Sequence, residues 1–364
     1  MKHIVIDARI ISSSTGRYVE RLLTYLEDID HENHYTVLVL SKDKDYWKPK
    51  NKNFEIKIAD YKNFSLNEQI GFARLIYSLK ADLVHFCMPQ QPILYFKPSI
   101  TTMHDLILLK TYNSDKNCLI YHAKQLVGRF VFWYLAYKSR YIITPSDFSR
   151  EEYLKRYRIS PKKVVTTHLS ADMTKITPEK MSLPYKKYIM YVGQQSDYKN
   201  IRRLILAHQQ LLRTHPGLGL VLVGSKSVLA KRNEAWVKKN NYQNILFTGF
   251  VNDAELAWLY QHCSAYVFPS LMEGFGLPGL EAMVHHTPVV SSNTTCLPEI
   301  YGSAAHYFDP LDVNDMAQKI NEVLTDEELR KKLCKNGQRQ LKKYSWKKMA
   351  QETLDIYQKA MSDQ

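Results

Sequence analysis

Tyr188-Ile189-Met190-Tyr191-Val192-Gly193, just past the middle of the chain, repeats what Ile4-Val5-Ile6-Asp7 does at its start. Each is a short apolar run, rich in β-branched or aromatic residues, that breaks off and hands over to a polar loop and then a helical pattern. Such a run reads as a buried strand. Outward from the second run come Leu218 to Gly224, Ile245 to Gly249, Ala265 to Pro269 and Thr287 to Ser291, all of the same kind. Outward from the first come the loop Ser12-Ser13-Ser14-Thr15-Gly16, a helical stripe of Val19, Leu22, Leu23 and Leu26, and the runs Tyr35 to Leu40, Ala81 to Phe86, Ser99 to Met103 and Tyr141 to Thr144. Helical patterns lie between most of the strands. Alternation of this kind builds a parallel sheet wound on both faces, and the restart means that it is built twice.

The expected class is therefore α/β, with two tandem Rossmann-like domains facing a central cleft. A chain of 364 residues is the right size for two such cores. The first domain is expected over 1–174. A polar linker with Pro178 and Pro184 spans 175–187, and the second domain covers 188–344. A last helix, 345–364, crosses back to the first domain, with Ser345 as its N-cap. Ligands of open α/β sheets bind at the carboxyl ends of the strands, so the strand ends are where chemistry belongs.

Composition narrows the partners. The net charge is +14, which favours an anionic partner. From Lys110 to Lys163 there are twelve Lys/Arg against four Asp/Glu, an excess of eight. Phe130, Phe132, Trp133, Tyr134 and Tyr137 sit in the same stretch. The segment 118–140 has two readings: a helix lying on an anionic membrane surface, or one whose aromatics pack inward while its cations face water. The helical spacing of Phe130, Trp133, Tyr134 and Tyr137 leans toward inward packing. No nucleic-acid-binding motif accompanies the basic residues, so no nucleic acid partner is expected. The five cysteines, Cys87, Cys118, Cys263, Cys296 and Cys334, are scattered, which argues against a disulfide framework or a zinc site. The N-terminal apolar run is too short for a signal peptide, and no uncharged apolar run approaches the roughly 18 residues of a membrane span. A cytoplasmic protein, peripheral on the inner face of the membrane, is the expectation.

Four strand ends carry candidate chemistry. The sharpest is Pro269-Ser270-Leu271-Met272-Glu273-Gly274-Phe275-Gly276-Leu277-Pro278-Gly279-Leu280-Glu281-Ala282-Met283. Here a strand ends, a glycine-rich turn follows, and Pro278 marks a helix start. Backbone N–H groups at such a start attract a phosphate. Glu273 in the turn and Glu281 about one turn into the helix can accept hydrogen bonds from sugar or ribose hydroxyls. Either glutamate alone would read as a surface residue; the whole string does not. The second is Gly193 through Lys199, where a cation would stabilise a leaving nucleoside diphosphate. The third is His104-Asp105-Leu106, where the bland reading is a capping Asp105 beside a structural His104. The fourth is Gly16-Arg17-Tyr18. The loop after the first strand carries no G-x-G-x-x-G around Gly16, which disfavours a dinucleotide there.

The string 269–283 resembles the Glu-x7-Glu motif of the retaining glycosyltransferases of family 4, which have the glycosyltransferase B fold. Its flanks resemble that family too: Phe247-Thr248-Gly249-Phe250-Val251 and Asp253-Ala254-Glu255-Leu256 before it, Thr287-Pro288-Val289-Val290 and Leu297-Pro298-Glu299 after it. The resemblance covers nearly the whole chain. It implies that Glu273 contacts the donor sugar and Glu281 the ribose, and that backbone groups at Phe275, Gly276 and Leu277 hold the sugar and diphosphate. It further implies that Gly193 and Lys199 face the diphosphate, that Gly16 lies over the diphosphate and acceptor, that His104 reaches the donor sugar, and that the loop from Gly249 to Val251 reads the base. The family's arginine beside the lysine, or directly after the glycine, is replaced here by Tyr198 or Gln194; Arg202 and Arg203 are the candidate substitutes. Leu83-Val84-His85-Phe86 and Thr102 to Leu106 resemble mannosyltransferases that use GDP-mannose. The expected activity is therefore transfer of a hexose, with retention and without metal or cofactor, from GDP-mannose to a hydroxyl of a growing, lipid-linked glycan. The rivals are a sugar-nucleotide epimerase on the same fold and a noncatalytic glycan- or membrane-binding relative.

Overall fold

A computed structural model describes residues 1–13, 15–63, 65–110, 118–172 and 176–362. The chain forms two compact units. One comprises Met1–Leu109, His122–Leu169 and Ser345–Gln364, and the other contains Ser170–Tyr344.

The first unit is built on seven parallel strands: β1 (His3–Asp7), β2 (His34–Val39), β3 (Phe54–Ile58), β4 (Leu83–Phe86), β5 (Ser99–Thr102), β6 (Tyr141–Thr144) and β7 (Val164–Thr166). Their order is β3-β2-β1-β4-β5-β6-β7. Ile4 sits between Tyr35 on one side and Leu83 on the other. The helix Gly16–Ile29 buries Tyr18, Val19, Leu22, Leu23 and Leu26, the i, i+3, i+4 stripe of a helix laid on a sheet. The last helix, Trp346–Ser362, packs against it and buries Met349, Ala350, Thr353, Leu354, Ile356 and Tyr357. The Lys348 N–H donates to Ser345 Oγ at 3.3 Å, so Ser345 does cap this helix.

The second unit carries six parallel strands: β8 (Lys187–Val192), β9 (Leu218–Val223), β10 (Ile245–Gly249), β11 (Ala265–Phe268), β12 (Val289–Ser292) and β13 (Ala305–Phe308). Their order is β10-β9-β8-β11-β12-β13. The helix Ile201–Leu211 buries Ile201, Leu204, Ile205, Ala207, His208 and Leu211. The helix Asp253–His262 starts with a reciprocal capping box between Asn252 and Glu255. In both sheets the strand order reverses at the first strand, between β1 and β4 and between β8 and β11. A reversal of this kind opens a crevice at the carboxyl ends of the two strands.

Three strands escape the sequence reading: β3, β7 and β13. Each ends its sheet or is very short. β3 alternates Phe54-Glu55-Ile56-Lys57-Ile58 with only Phe54 buried, and β7 has three residues. Edge strands of this kind lack the continuous apolar run that marks a strand buried on both faces. The inward packing of the aromatic helix is also corrected. The helix spans Cys118–Lys138. Phe130, Trp133 and Tyr137 are about half exposed, at 51%, 50% and 55%. Phe132, Leu135, Ala136 and Gln125 face inward instead.

Candidate functional site

In the second unit the crevice between β8 and β11 brings two predicted residues into contact. β8 ends at Val192, and the chain runs through Gly193 (φ 141°) to a 3-10 turn, Asp197–Lys199. β11 ends at Phe268, and the chain runs through Pro269 and Ser270 to Glu273. Lys199 Nζ donates to Glu273 Oε1 at 2.6 Å. Both side chains are largely buried, at 15% and 10% exposure. Burial opposes the Lys199 ammonium, but Glu273, Tyr191 and Tyr198 outweigh it and hold its pKa above that of an ordinary lysine. The ammonium also lies 5.1 Å from the Tyr198 ring centre and 5.5 Å from that of Phe268. Three donors sit on an ammonium and Glu273 takes one, so the cation can serve a second anion without surrendering the first.

The turn that holds Glu273 is pinned from several sides. The Glu273 N–H donates to Thr295 Oγ1 at 3.2 Å, and Cys296 Sγ donates to the Glu273 carbonyl at 3.3 Å. The Leu271 N–H donates to the Tyr198 carbonyl at 2.8 Å, tying this turn to the Lys199 turn. Gly276 follows at the N-cap of the helix Leu277–Val284, with φ 97° and Pro278 in the first turn. The Gly276 carbonyl accepts from Tyr301 Oη at 2.5 Å. A Cβ there would stand 2.5 Å from that hydroxyl, so the turn itself demands glycine at this position. Phe275 is buried and meets Tyr344 edge-on at 5.8 Å. Glu281 lies in the second turn of the helix, where Tyr260 Oη donates to its Oε2 at 3.4 Å.

Val251 belongs to another part of this unit. It is buried at 8% exposure just past β10, while its neighbour Phe250 is exposed at 86%. Of the two candidate arginines, Arg202 Nε donates to Asn233 Oδ1 at 3.3 Å and its guanidinium lies over Trp236 at 5.3 Å. Arg203 Nη1 donates to Asn200 Oδ1 at 3.0 Å, and Asn200 in turn donates to the carbonyls of Pro269 and Pro310. Arg203 is thus the one tied to the β11 strand end. Two groups at these strand ends were not read from the sequence. Thr295 holds the Glu273 backbone from a left-handed φ of 55°. Lys226, just past β9, runs its stem along Gly249. The strand-end rule points at both, but nothing in their residue types singles them out.

Gly16 and His104 lie in the first unit. A Cβ on Gly16 would fall 1.8 Å from the Ile11 carbonyl oxygen, so packing of the loop on itself accounts for this glycine. His104 follows β5. Its Nε2 lies 2.9 Å from the Cys87 carbonyl oxygen, just past β4. Burial lowers its pKa, against a smaller opposing effect of the Cys87 hydrogen bond. The ring is therefore neutral at pH 7. Asp105 does act as a cap: its Oδ1 accepts from the Ile107 N–H at 2.8 Å. At the end of β1, Arg9 Nε and Nη2 donate to the two oxygens of Asp7, each at 2.8 Å, and Nη2 also donates to Glu68 Oε1 at 3.0 Å. All three side chains are 2% exposed or less. Among the described residues no helix is long and apolar enough to cross a membrane.

Comparison with known proteins agrees with the folding pattern. The family model described as Glycosyltransferase Family 4 matches residues 15–175, and that described as Glycosyl transferases group 1 matches 173–340. The chain is similar to the O-antigen chain mannosyltransferase B of Escherichia coli: 33% identical over 281 residues, covering 71% of this chain and 70% of that one. It is 29% identical over 259 residues to the serotype-specific mannosyltransferase WbdA of Escherichia coli, covering 68% of this chain but only 32% of that longer one. Among solved structures, the sucrose-phosphate synthase of Thermosynechococcus elongatus superposes with a TM-score of 0.81 over the full length of both chains, at 18% identity.

Proposed function

The chain belongs to the family 4, group 1 glycosyltransferases with the glycosyltransferase B fold, and from that premise we propose that it transfers mannose from GDP-mannose, with retention and without a metal, to a hydroxyl of a growing lipid-linked cell-surface glycan. The Lys199–Glu273 pair across the β8/β11 crevice carries this reading. Glu273 lies in the turn that leads into the helix Leu277–Val284, and a cation together with that helix N-terminus suits a diphosphate. As the glycosidic bond to the diphosphate breaks, negative charge grows on the leaving group, and the remaining Lys199 donors stabilise it. Glu273, held by Lys199, accepts a hydrogen bond from a hydroxyl of the donor sugar. Glu281 accepts from the ribose, and the loop from Gly249 to Val251 meets the base. The likeness to two mannosyltransferases supports the choice of sugar.

The aromatic helix supports the peripheral site of action. Leu126, Phe130, Trp133 and Tyr137 fall at successive i+4, i+3 and i+4 steps, all 50% exposed or more. Tyr134 Oη donates to the Ile93 carbonyl at 2.9 Å, and Leu94 and Phe96, which follow Ile93 in the chain, are exposed as well. An apolar stripe of this kind in a basic stretch suits the interface of an anionic bilayer.

The test is turnover of GDP-mannose with a mannose-terminated oligosaccharide and no added metal, with the anomeric configuration of the product read by NMR. An α-linked mannoside in the presence of EDTA is expected. A β-linked product, or transfer only from a UDP-sugar, overturns the reading. Sedimentation with vesicles tests the surface: binding to phosphatidylglycerol vesicles, lost in Phe130→Ser/Trp133→Ser, is expected, and equal binding to neutral vesicles contradicts the anionic partner.

A further inference from the structure

His104 is held at two points. Its Nε2 faces the Cys87 carbonyl oxygen at 2.9 Å. A carbonyl only accepts, so Nε2 carries the proton, and in a neutral ring Nδ1 is then a bare acceptor. The second hold is Tyr18, whose ring meets the imidazole edge-on, with centroids 5.1 Å apart and planes at 81°.

Tyr18 is itself tied down by a chain of polar groups. Its Oη lies 2.9 Å from Thr102 Oγ1. The same Oγ1 lies 2.8 Å from His85 Nε2, and His85 Nδ1 lies 2.6 Å from Tyr357 Oη. The exposures of Tyr18, Thr102, His85 and Tyr357 are 2%, 1%, 0% and 0%. The chain begins on the last helix, crosses β4 and β5 and ends on the first helix against His104, all within one compact unit. Four polar groups in the middle of a core are an unusual choice for stability alone. Each must be fully satisfied, and apolar residues of the same shape would pack about as well. What the polar chain adds is direction, because each hydrogen bond fixes the rotation of the next ring or hydroxyl.

We propose that Tyr357, His85, Thr102 and Tyr18 are positioning residues that hold His104 in one orientation and one tautomer, with Nδ1 presented as the acceptor for a hydroxyl of the sugar substrate. The proposal rests on the reading of His104 as a residue that touches the donor. It names the chemistry of the partner: Nδ1 takes an O–H, and a phosphate oxygen or a carboxylate, which brings no proton at neutral pH, is excluded there.

Ring-15N NMR of the full chain labelled at histidine tests this without any ligand, and steady-state turnover of GDP-mannose tests its consequence. In the wild type at pH 7, His104 is expected as a single Nε2–H tautomer. Thr102→Val keeps the shape but cuts both contacts of Oγ1. In that variant His104 is expected to populate both tautomers, and kcat to fall about tenfold through misplacement of a contacting group, with KM for GDP-mannose little changed. Thr102→Ser restores Oγ1 and is expected to restore both readouts. Tyr357→Phe cuts only the far end and is expected to act in the same direction, more weakly. An unchanged His104 tautomer in folded Thr102→Val overturns the proposal, as does a Thr102→Ser variant impaired as much as Thr102→Val, which would mean simple packing. If the wild type does not turn over GDP-mannose, the donor reading fails, while the tautomer comparison still decides this inference.

Discussion

The two strand-order reversals are alike in topology and opposite in electrostatics. Beside β1, the charges are consumed internally: Arg9 is shared between Asp7 and Glu68, all buried, and the nearby histidines His85 and His104 are held neutral. Beside β8, Lys199 makes one short contact to Glu273, in the turn that leads into the helix Leu277–Val284, and an ammonium keeps further donors. A closed charge network fixes a wall; an open pair leaves a field for a ligand. The contrast fits a division of labour in which the second unit binds the anionic donor and the first offers neutral hydrogen-bonding groups.

The largest expected effect breaks the open pair. Lys199→Met leaves Glu273 as a buried charge without its partner, a loss of roughly 3 kcal/mol of stability. It also removes the cation proposed to face the leaving group, so kcat/KM for GDP-mannose is expected to fall by about 10³. Chemical denaturation and initial rates report the two effects separately. Arg9→Met is the matching change in the closed network. A similar loss of roughly 3 kcal/mol is expected, but nucleotide affinity of the folded protein should stay within about twofold, because no donor group is touched. A large loss of nucleotide affinity in Arg9→Met would erase the contrast.

Gly276→Ala sharpens the same comparison at the level of backbone. A Cβ 2.5 Å from Tyr301 Oη, at φ 97°, should cost about 2 kcal/mol and weaken nucleotide binding with it, since the strained residue caps the helix proposed to face the diphosphate. Calorimetric titration checks both.

A further effect concerns pH and involves one histidine in each unit. Burial, with a contribution from His104, holds His85 down to about 3, and burial holds His208 down to about 4. An unfolded histidine takes its proton near 6.5. Stability from keeping these rings neutral is therefore complete above pH 6.5. It drains away as pH falls toward 4 and then 3, at roughly 1.4 kcal/mol per pH unit for each ring. The melting temperature is expected to drop between pH 7 and pH 5, and His208→Gln should flatten that slope. A slope unchanged in His208→Gln contradicts the assignment.

Much of this was legible because two rules act together. Periodicity located the central strands, and the strand-end rule then selected Glu273, Lys199 and His104 from many other polar residues. What was not legible depends on facing and on distance. The spacing of Phe130, Trp133 and Tyr137 shows that they share a face but not which face meets the sheet. The opposite side, with Phe132, Leu135 and Ala136, is the one that is buried. The Arg9–Glu68 contact joins residues 59 apart in sequence, and no local pattern announces it. Thr295 supports Glu273 through a backbone conformation that its residue type does not signal. The edge strands β3 and β13 lack the continuous apolar run of the central strands, since each carries charged or polar residues among its apolar ones and is only partly buried.

The division of labour rests on a nucleoside diphosphate binding where Lys199 meets Glu273. Thermal stabilisation by GDP, UDP, dTDP and ADP, each with and without magnesium, tests that most directly, because a ligand bound only by the folded state raises the melting temperature. A magnesium-independent rise with GDP, absent in Lys199→Met and in Glu281→Ala, is expected. No rise with any nucleotide, or a rise that survives both substitutions, would contradict it.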